Sequence, residues 1–216
     1  MGSKDNNDRI ELKKIIEICN EFNISIDSIL EVGSMTGDDS KYLSELLNVE
    51  ADCVYILEPH PAHFKRIMKK YPQFNVFNLA AWKEDGEMIF HAGKDIDDGR
   101  SSVLEREYKK DSFLKVKVRV IKIGNFIQEN ISKQNICCKI DVEGAAYEVL
   151  SGFEDKLEKI KLLQIETEQK EIWKNQKTHK DVEAFLLEKG FEKLWETKLG
   201  ATQIDSIWRK NENKFN

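Results

Sequence analysis

The sequence is poor in the residues that mark linkers, metal sites and membrane spans. Three prolines and no low-complexity tract leave no candidate interdomain linker and no internal repeat. The four cysteines form no C-x-x-C pair and have no histidine close by, which argues against a zinc site or a disulfide framework. No apolar run approaches the roughly 20 residues of a membrane helix, and no charged-then-apolar signal segment is present. We therefore expect a cytoplasmic protein without a membrane span.

The length and the charge of the chain further limit the class of protein to which it can belong. The 216 residues, 40% hydrophobic and 34% charged, suit one soluble globular domain, which we assign to residues 9–216. Residues 1–8 are predicted to be an expression-tag remnant and a loose polar leader. The net charge of −5, with scattered basic residues, argues against a nucleic-acid partner. The sequence leaves open the oligomeric state and whether the chain is one domain of a larger enzyme.

A strand–turn–helix unit near the start is the most informative feature. Residues 29–37 read I-L-E-V-G-S-M-T-G, an apolar strand that breaks into a glycine turn and opens a helix. Gly33 removes the Cβ where the backbone is expected to approach a ligand, and Gly37 lets the helix pack tightly on the strand. Residues 54–59, V-Y-I-L-E-P, form a second apolar strand, and its terminal Glu58 is placed to accept hydrogen bonds from a ribose diol.

The glycine spacing separates two classes of nucleoside cofactor. The turn lacks the full G-x-G-x-x-G pattern that cradles a pyrophosphate, which disfavours a nicotinamide-dependent dehydrogenase. An E-x-G-x-x-x-G turn followed by an acidic strand end fits S-adenosylmethionine better, because that ligand has no pyrophosphate and needs fewer glycines.

Alternating strands and helices predict the fold class. The pattern indicates an α/β, Rossmann-like doubly wound and mostly parallel sheet, with a C-terminal antiparallel strand pair. The predicted strands span 25–32, 53–57, 74–80, 87–92, 114–123, 136–142, 161–167, 191–196 and 203–210, and the predicted helices span 10–22, 40–47, 62–70, 123–129, 145–151 and 181–189.

Carboxylates follow two later strands and are the candidate catalytic residues. Asp141 and Glu143 come after one buried strand, and Glu166 ends the next, with Glu168 two residues on and facing the same side. Such carboxylates can act as general bases, or Asp141, Glu166 and Glu168 can bind a divalent cation such as magnesium or manganese. The alternatives are that Asp141 caps the following helix and that Glu168 is a solvated loop charge.

Five segments in order resemble one known family. They are residues 31–37 (E-V-G-S-M-T-G), 58–61 (E-P-H-P) with Phe64, 80–81 (A-A) with 84–86 (E-D-G), 101–102 (S-S), and 139–150 (K-I-D-V-E-G-A-A-Y-E-V-L). Over about residues 25–210 the chain resembles the FkbM family of S-adenosylmethionine-dependent methyltransferases. Met35 and Ala146 depart from the family pattern.

The resemblance implies a cofactor site and a type of acceptor. Family members typically methylate hydroxyl groups, often on sugars of glycans or on natural products. The residues expected to hold S-adenosyl-L-methionine are Glu31, Gly33, Ser34, Gly37, Glu58, Pro59, Ala81, Ser102 and Asp141.

We therefore expect an O-methyltransferase for a sugar hydroxyl of a glycan or glycosylated metabolite, with Asp141, Glu143 and Glu166 as catalytic residues. A methyltransferase for a non-sugar small molecule or amine stays open, as does a catalytically silent cofactor-binding module of a larger assembly. Two irregular polar stretches, 100–110 and 168–180, are expected to hold a neutral or weakly polar acceptor.

Overall fold

A seven-stranded sheet forms the centre of the fold in the computed structural model, which describes residues 10–97, 99–106 and 112–211. The predicted leader, residues 1–8, lies outside this range. The strands are β1 (Ser28–Val32), β2 (Val54–Leu57), β3 (Asn75–Phe77), β4 (Ala80–Trp82), β5 (Gly86–Gly93), β6 (Phe113–Lys122), β7 (Ile136–Ile140), β8 (Ile160–Glu168), β9 (Phe191–Leu199) and β10 (Gln203–Lys210).

The central sheet has the order β3-β2-β1-β7-β8-β10-β9. The first five strands in this order are parallel, and β10 pairs antiparallel with both β8 and β9. The strand order reverses at β1, so a crevice opens between the carboxyl ends of β1 and β7. The predicted fold class, including the terminal antiparallel pair, is confirmed.

Helices cover both faces of the sheet. They are α1 (Ile10–Glu21), α2 (Asp38–Leu47), α3 (Pro61–Lys70), α4 (Ile123–Asn130), α5 (Ala146–Phe153) and α6 (His179–Glu188). Successive strand residues point to opposite faces, so Ile29 packs with α1, α2 and α3 while Leu30 packs with α4, α5 and α6. Among the described residues, no helix is long and apolar enough to cross a membrane.

A second, three-stranded sheet of order β4-β6-β5 corrects one prediction. The single strand predicted at 74–80 is two strands, because the chain leaves the central sheet after β3 and enters the small sheet at β4. Asn78 fixes the crossing: its side-chain amide donates to the carbonyls of Glu58 (2.9 Å) and Pro59 (3.0 Å). The predicted antiparallel strand at 87–92 is confirmed as part of β5, which pairs with β6.

The start of α2 also differs from the prediction. The helix predicted over 40–47 begins two residues earlier, at Asp38, and Gly37 occupies the N-cap position with φ +75°. Asp38 binds the Lys70 ammonium and the Tyr71 hydroxyl of the α3 region. A Cβ at Gly37 would lie 3.0 Å from both Ile67 and Tyr71, so this glycine permits contact with α3 and not, as predicted, with the strand.

Gly33 is required by the contact between two backbone segments. Its φ is +82°, and a Cβ there would lie 1.9 Å from the carbonyl oxygen of Asp141. The Asp141 N–H donates to the Val32 carbonyl (2.9 Å), and the Gly33 N–H donates to the Leu57 carbonyl (2.9 Å). Gly33 therefore lies close to the backbone after β7. Its predicted approach to a ligand stays a prediction.

Gly33→Ala is expected to destabilise the protein far more than Gly200→Ala. Both glycines have positive φ, but Gly200, at +61°, has open space where a Cβ would be. The backbone cost of about 1–3 kcal/mol applies to both, while the clash with Asp141 adds roughly 2 kcal/mol or more at Gly33 alone. Urea unfolding of the two variants measures the difference, and equal losses would contradict the contact.

Candidate functional site

A cavity of about 940 Å³ opens at the carboxyl ends of β1, β2, β7 and β8. This is the switch point of the sheet, and the volume is within the range of small-molecule sites. The predicted site residues that line it are Glu31, Gly33, Ser34, Glu58, Pro59, Ala81, Asp141, Glu143 and Glu166. Gly37, Ser102 and Glu168, all within the described residues, are not part of its wall.

The glycine turn after β1 holds the carboxylate at the end of β2. The Ser34 N–H donates to Glu58 Oε2 (2.8 Å), and the Gly37 N–H donates to Ser34 Oγ (3.0 Å). The His60 N–H donates to the other oxygen, Glu58 Oε1 (2.6 Å). The turn and the acidic strand end are thus one hydrogen-bonded unit, a contact that the sequence analysis did not predict.

Burial dominates the electrostatics of Glu58. The residue is 4% exposed, and burial raises its pKa to about 8, although two backbone N–H donors lower it. Each carboxylate oxygen has a second lone pair, so the group retains the capacity to accept from a ligand diol. Glu58 has the chemistry expected of a ribose ligand.

A buried lysine connects the carboxylates of β1 and β7. Lys139 Nζ lies 3.2 Å from Asp141 Oδ2 and 3.5 Å from Asp39 Oδ2. Lys139 is also the register partner of Glu31, which is 2% exposed and accepts from the Ser40 hydroxyl. Burial raises the pKa of Glu31 to about 7, and the lysine opposes that shift.

Sequence reasoning assigned no role to Lys139. Its signal was visible as the one charged residue inside the apolar strand of residues 136–140. Burial disfavours an ammonium there, but Asp141, Asp39 and Glu31 together raise the pKa of Lys139 well above its usual value.

A second group of carboxylates lies at the ends of β7, β8 and β10. Burial, with the neighbouring Asp141, raises the pKa of Glu143 to about 8 and that of Glu166 to about 10. Asp205, the register partner of Glu166 on β10, also has its pKa raised by burial, to about 7. The sequence analysis missed Asp205, which is one of several polar residues in the terminal strand and has no distinguishing local signal.

Glu168 is buried, so the alternative of a solvated loop charge is wrong. It is 3% exposed and accepts from the Gln176 side-chain amide. Burial raises its pKa to about 7, while Gln176 and the backbone N–H of Gly144 lower it. Glu168 therefore supports the segment that carries Glu143 instead of facing the cavity.

The predicted metal site is not supported. Within residues 10–97, 99–106 and 112–211, no group of three or more His, Cys, Asp or Glu side chains is arranged to hold a metal ion. The three predicted ligands have other partners: Asp141 pairs with the Lys139 ammonium, Glu166 accepts from Gln203 (2.7 Å), and Glu168 accepts from Gln176.

The two predicted acceptor stretches meet in the structure, as far as they are described; residues 107–110 lie outside the described range. Arg106 and Trp173 form a backbone bridge, and the Lys174 N–H donates to the Glu105 carbonyl (2.9 Å). Trp173 is 1% exposed and anchors this junction. His179, the first residue of α6, is also buried and is hydrogen-bonded to Thr167 (2.8 Å).

Comparison with known proteins gives a family match. The Methyltransferase FkbM domain family matches residues 31–193, which confirms the resemblance drawn from the sequence motifs. No curated protein matches the sequence.

Two solved structures share the fold at low sequence identity. The structure of methyltransferase FkbM from Methylobacillus flagellatus KT has a TM-score of 0.53 and 14% identity, and the alignment covers 84% of this chain but 44% of that one. Magnesium protoporphyrin IX methyltransferase (ChlM) from Synechocystis PCC 6803, solved with bound SAM, has a TM-score of 0.51 and 9% identity, with coverage of 93% and 78%. The chain thus spans less than half of the Methylobacillus protein.

Glu166→Gln is expected to stabilise the protein increasingly as pH rises above about 5. The folded-state pKa of about 10 exceeds the usual 4.5, so as pH rises above 4.5 the unfolded chain loses this proton while the folded protein keeps it. Folding stability therefore falls as pH rises from 4.5 toward 10, and the neutral glutamine removes that loss. Melting temperatures of the two proteins should agree at pH ~5 and diverge by roughly 3 °C or more at pH ~9.

The exposed Glu45 provides the control, because Glu45→Gln should change the melting temperature similarly at both pH values. A constant difference between Glu166→Gln and the parent would refute the raised pKa.

Proposed function

The chain belongs to the FkbM methyltransferase family, and on that premise we propose that it transfers the methyl group of S-adenosylmethionine to a hydroxyl of a sugar-containing acceptor. The observation that carries the proposal is the hydrogen-bonded unit of the Gly33 turn and Glu58, set at the edge of an acidic cavity. Such a cavity suits a cofactor that carries positive charge and a diol.

The residues present fit this cofactor in three places. Glu58 would accept from the ribose hydroxyls, with Ser34 and His60 fixing its orientation. The apolar wall formed by Leu57 and Ala81 would receive the adenine. The carboxylates of Glu31 and Asp141 would face the positively charged methionine part.

Activation of the acceptor falls to the carboxylates near β7. When bound, S-adenosylmethionine supplies an electrophilic methyl group on a positively charged sulfur. A neutral hydroxyl is a poor nucleophile, so a general base must take its proton as the new O–C bond forms.

We assign that proton to Glu143 and an orienting role to Asp141. Burial keeps the pKa of Glu143 near 8, so its carboxylate is basic enough to remove a proton under mildly alkaline conditions. Asp141 is held by the Lys139 ammonium at 3.2 Å, which fixes its position but occupies one of its oxygens. Asp141 can then accept a hydrogen bond from the acceptor and align it.

The acceptor class rests on the polar character of the β8 and β10 strand ends. Glu166 and Gln203 present carboxylate and amide groups there, and such groups bind sugar hydroxyls. An amine acceptor is the second candidate, because the carboxylates of Glu143, Glu166 and Asp205 would favour a cationic group. The acidic cavity also disfavours a nucleic-acid acceptor.

Glu58→Ala is expected to weaken binding of S-adenosylhomocysteine at least tenfold, or about 1.4 kcal/mol, by calorimetry. The reason is the loss of the carboxylate that would accept from the ribose. The exposed Glu188 supplies the control, since Glu188→Ala should bind with parental affinity. Unchanged affinity in a folded Glu58→Ala protein would remove Glu58 from the site.

Methyl transfer is tested with a panel of neutral glycosides, amino sugars and simple amines, with products identified by the added mass of one CH₂ group. We expect product from a neutral glycoside, with kcat/KM rising with pH to a plateau above about 8, since Glu143 must be ionised. Glu143→Gln should lose about a hundredfold in kcat together with that pH dependence.

The panel also separates the alternatives. If Asp141→Asn abolishes the pH dependence while Glu143→Gln retains it, the base is Asp141. Product from amines alone would identify an N-methyltransferase, and binding of cofactor without any product would favour a silent module.

A further inference from the structure

The segment after β7 has an unusual backbone. Glu143 has φ +46° and Gly144 has φ +86°, so two consecutive residues are in the left-handed region. For a residue with a Cβ, this conformation costs free energy and persists only where the surroundings enforce it. Glu143 borders the cavity, and it is the residue to which we assign proton removal.

Ser102 holds this conformation from the side of the small sheet. Its hydroxyl donates to the backbone carbonyl of Glu143 (2.6 Å) and accepts from the Leu104 N–H (3.0 Å). Its backbone forms a bridge with His91 on β5, and the residue is 1% exposed. Because the single hydroxyl proton is already donated to Glu143, Ser102 has no donor left for a cofactor.

The opposite end of the same peptide group lies near the end of β8. The Gly144 N–H faces the carboxylate of Glu168, the last residue of β8, and lowers its pKa. A Cβ on Gly144 would lie 2.3 Å from Cδ1 of Trp173, so the indole closes the space into which the turn could relax. The Glu143–Gly144 peptide is therefore held at its carbonyl by the Ser102 hydroxyl and flanked at its N–H by Glu168, two residues from distant parts of the chain.

We propose that Ser102 is a positioning residue for methyl transfer, which fixes the Glu143–Gly144 peptide so that the Glu143 carboxylate faces the acceptor. This inference rests on the proposed function of Glu143. It replaces the role of cofactor ligand expected for Ser102 from the sequence, and it explains why Ser102 is buried behind the cavity wall. Glu168 and Trp173 complete the clamp from the other side.

The first test is kinetic. Ser102→Ala removes the hydroxyl but keeps the backbone bridge to His91, so kcat with a productive panel acceptor should fall about tenfold to a hundredfold. KM for S-adenosylmethionine should change by less than about twofold. In a Glu143→Gln background, the loss of the Ser102 hydroxyl should cause no further decrease, because Ser102 acts through Glu143.

The second test needs no acceptor. Carbon NMR of the Glu143 carboxyl, assigned by its absence in Glu143→Gln, should titrate near pH 8 in the parent protein. Without the clamp the carboxylate can turn toward water, so in Ser102→Ala the pKa should move toward the usual 4.5. Glu168→Ala, which releases the N–H of the same peptide, should shift it in the same direction.

The control is Ser151→Ala. The Ser151 hydroxyl also donates to a backbone carbonyl, that of Tyr147 (2.8 Å), but it lies on α5 outside the cavity wall. This variant should keep the parental kcat and the parental Glu143 titration. If Ser102→Ala does not fold, Ser102→Cys, with its weaker donor, should give a smaller effect in the same direction.

Three results would overturn the proposal. A raised KM for S-adenosylmethionine with unchanged kcat would make Ser102 a cofactor ligand. An unmoved Glu143 titration, or an equal loss of kcat with and without Glu143, would reduce Ser102 to a general structural role. Full activity of Glu143→Gln would instead refute the assigned base, and the NMR titration would still test the clamp.

Discussion

The ion pair between Lys139 and Asp141 is the interaction on which the carboxyl edge of the sheet depends. Parallel strands bring their ends to the same edge, and here those ends are acidic, so their carboxylates repel one another. The Lys139 ammonium, 3.2 Å from Asp141 and next to Glu31 in register, offsets part of that repulsion. The rest is relieved by protons, since burial raises the pKa of several of these groups. The carboxylates of the cavity would therefore stabilise a positively charged ligand.

Backbone geometry positions this charge as much as side chains do. Gly33 brings the turn after β1 against the Asp141 carbonyl, and the next residues of the same segment, Glu143 and Gly144, take left-handed conformations. The segment after β7 is thus fixed on one side by the turn after β1 and on the other side by the loops that carry Ser102 and Trp173. These contacts come from distant parts of the chain, so the turn after β1, the segment that carries Glu143 and the loops that carry Ser102 and Trp173 are connected by direct contacts.

Local sequence patterns predicted the features that depend on residues close together in the chain. The Gly33 turn, Glu58 at a strand end and the clustering of Asp141 with Glu166 all follow from strand periodicity and from the rule that parallel strands share an edge. The single strand predicted at 74–80 was wrong, and the burial of Glu168 was left open, for one reason: both depend on where the chain goes next. The local sequence at a strand end does not show whether the side chain is exposed to water or covered by a neighbouring loop.

The sequence by itself determined the sheet class, the place of the crevice and the family. Each of these follows from short motifs and their order along the chain, which do not depend on tertiary contacts. Only the tertiary structure decided the partners of the charged groups. It paired Lys139 with Asp141, placed Asp205 opposite Glu166, and directed the Ser102 hydroxyl to the backbone carbonyl of Glu143. Burial and ion pairing depend on groups far apart in the chain. These two factors determine which carboxylate is ion-paired and which has a raised pKa.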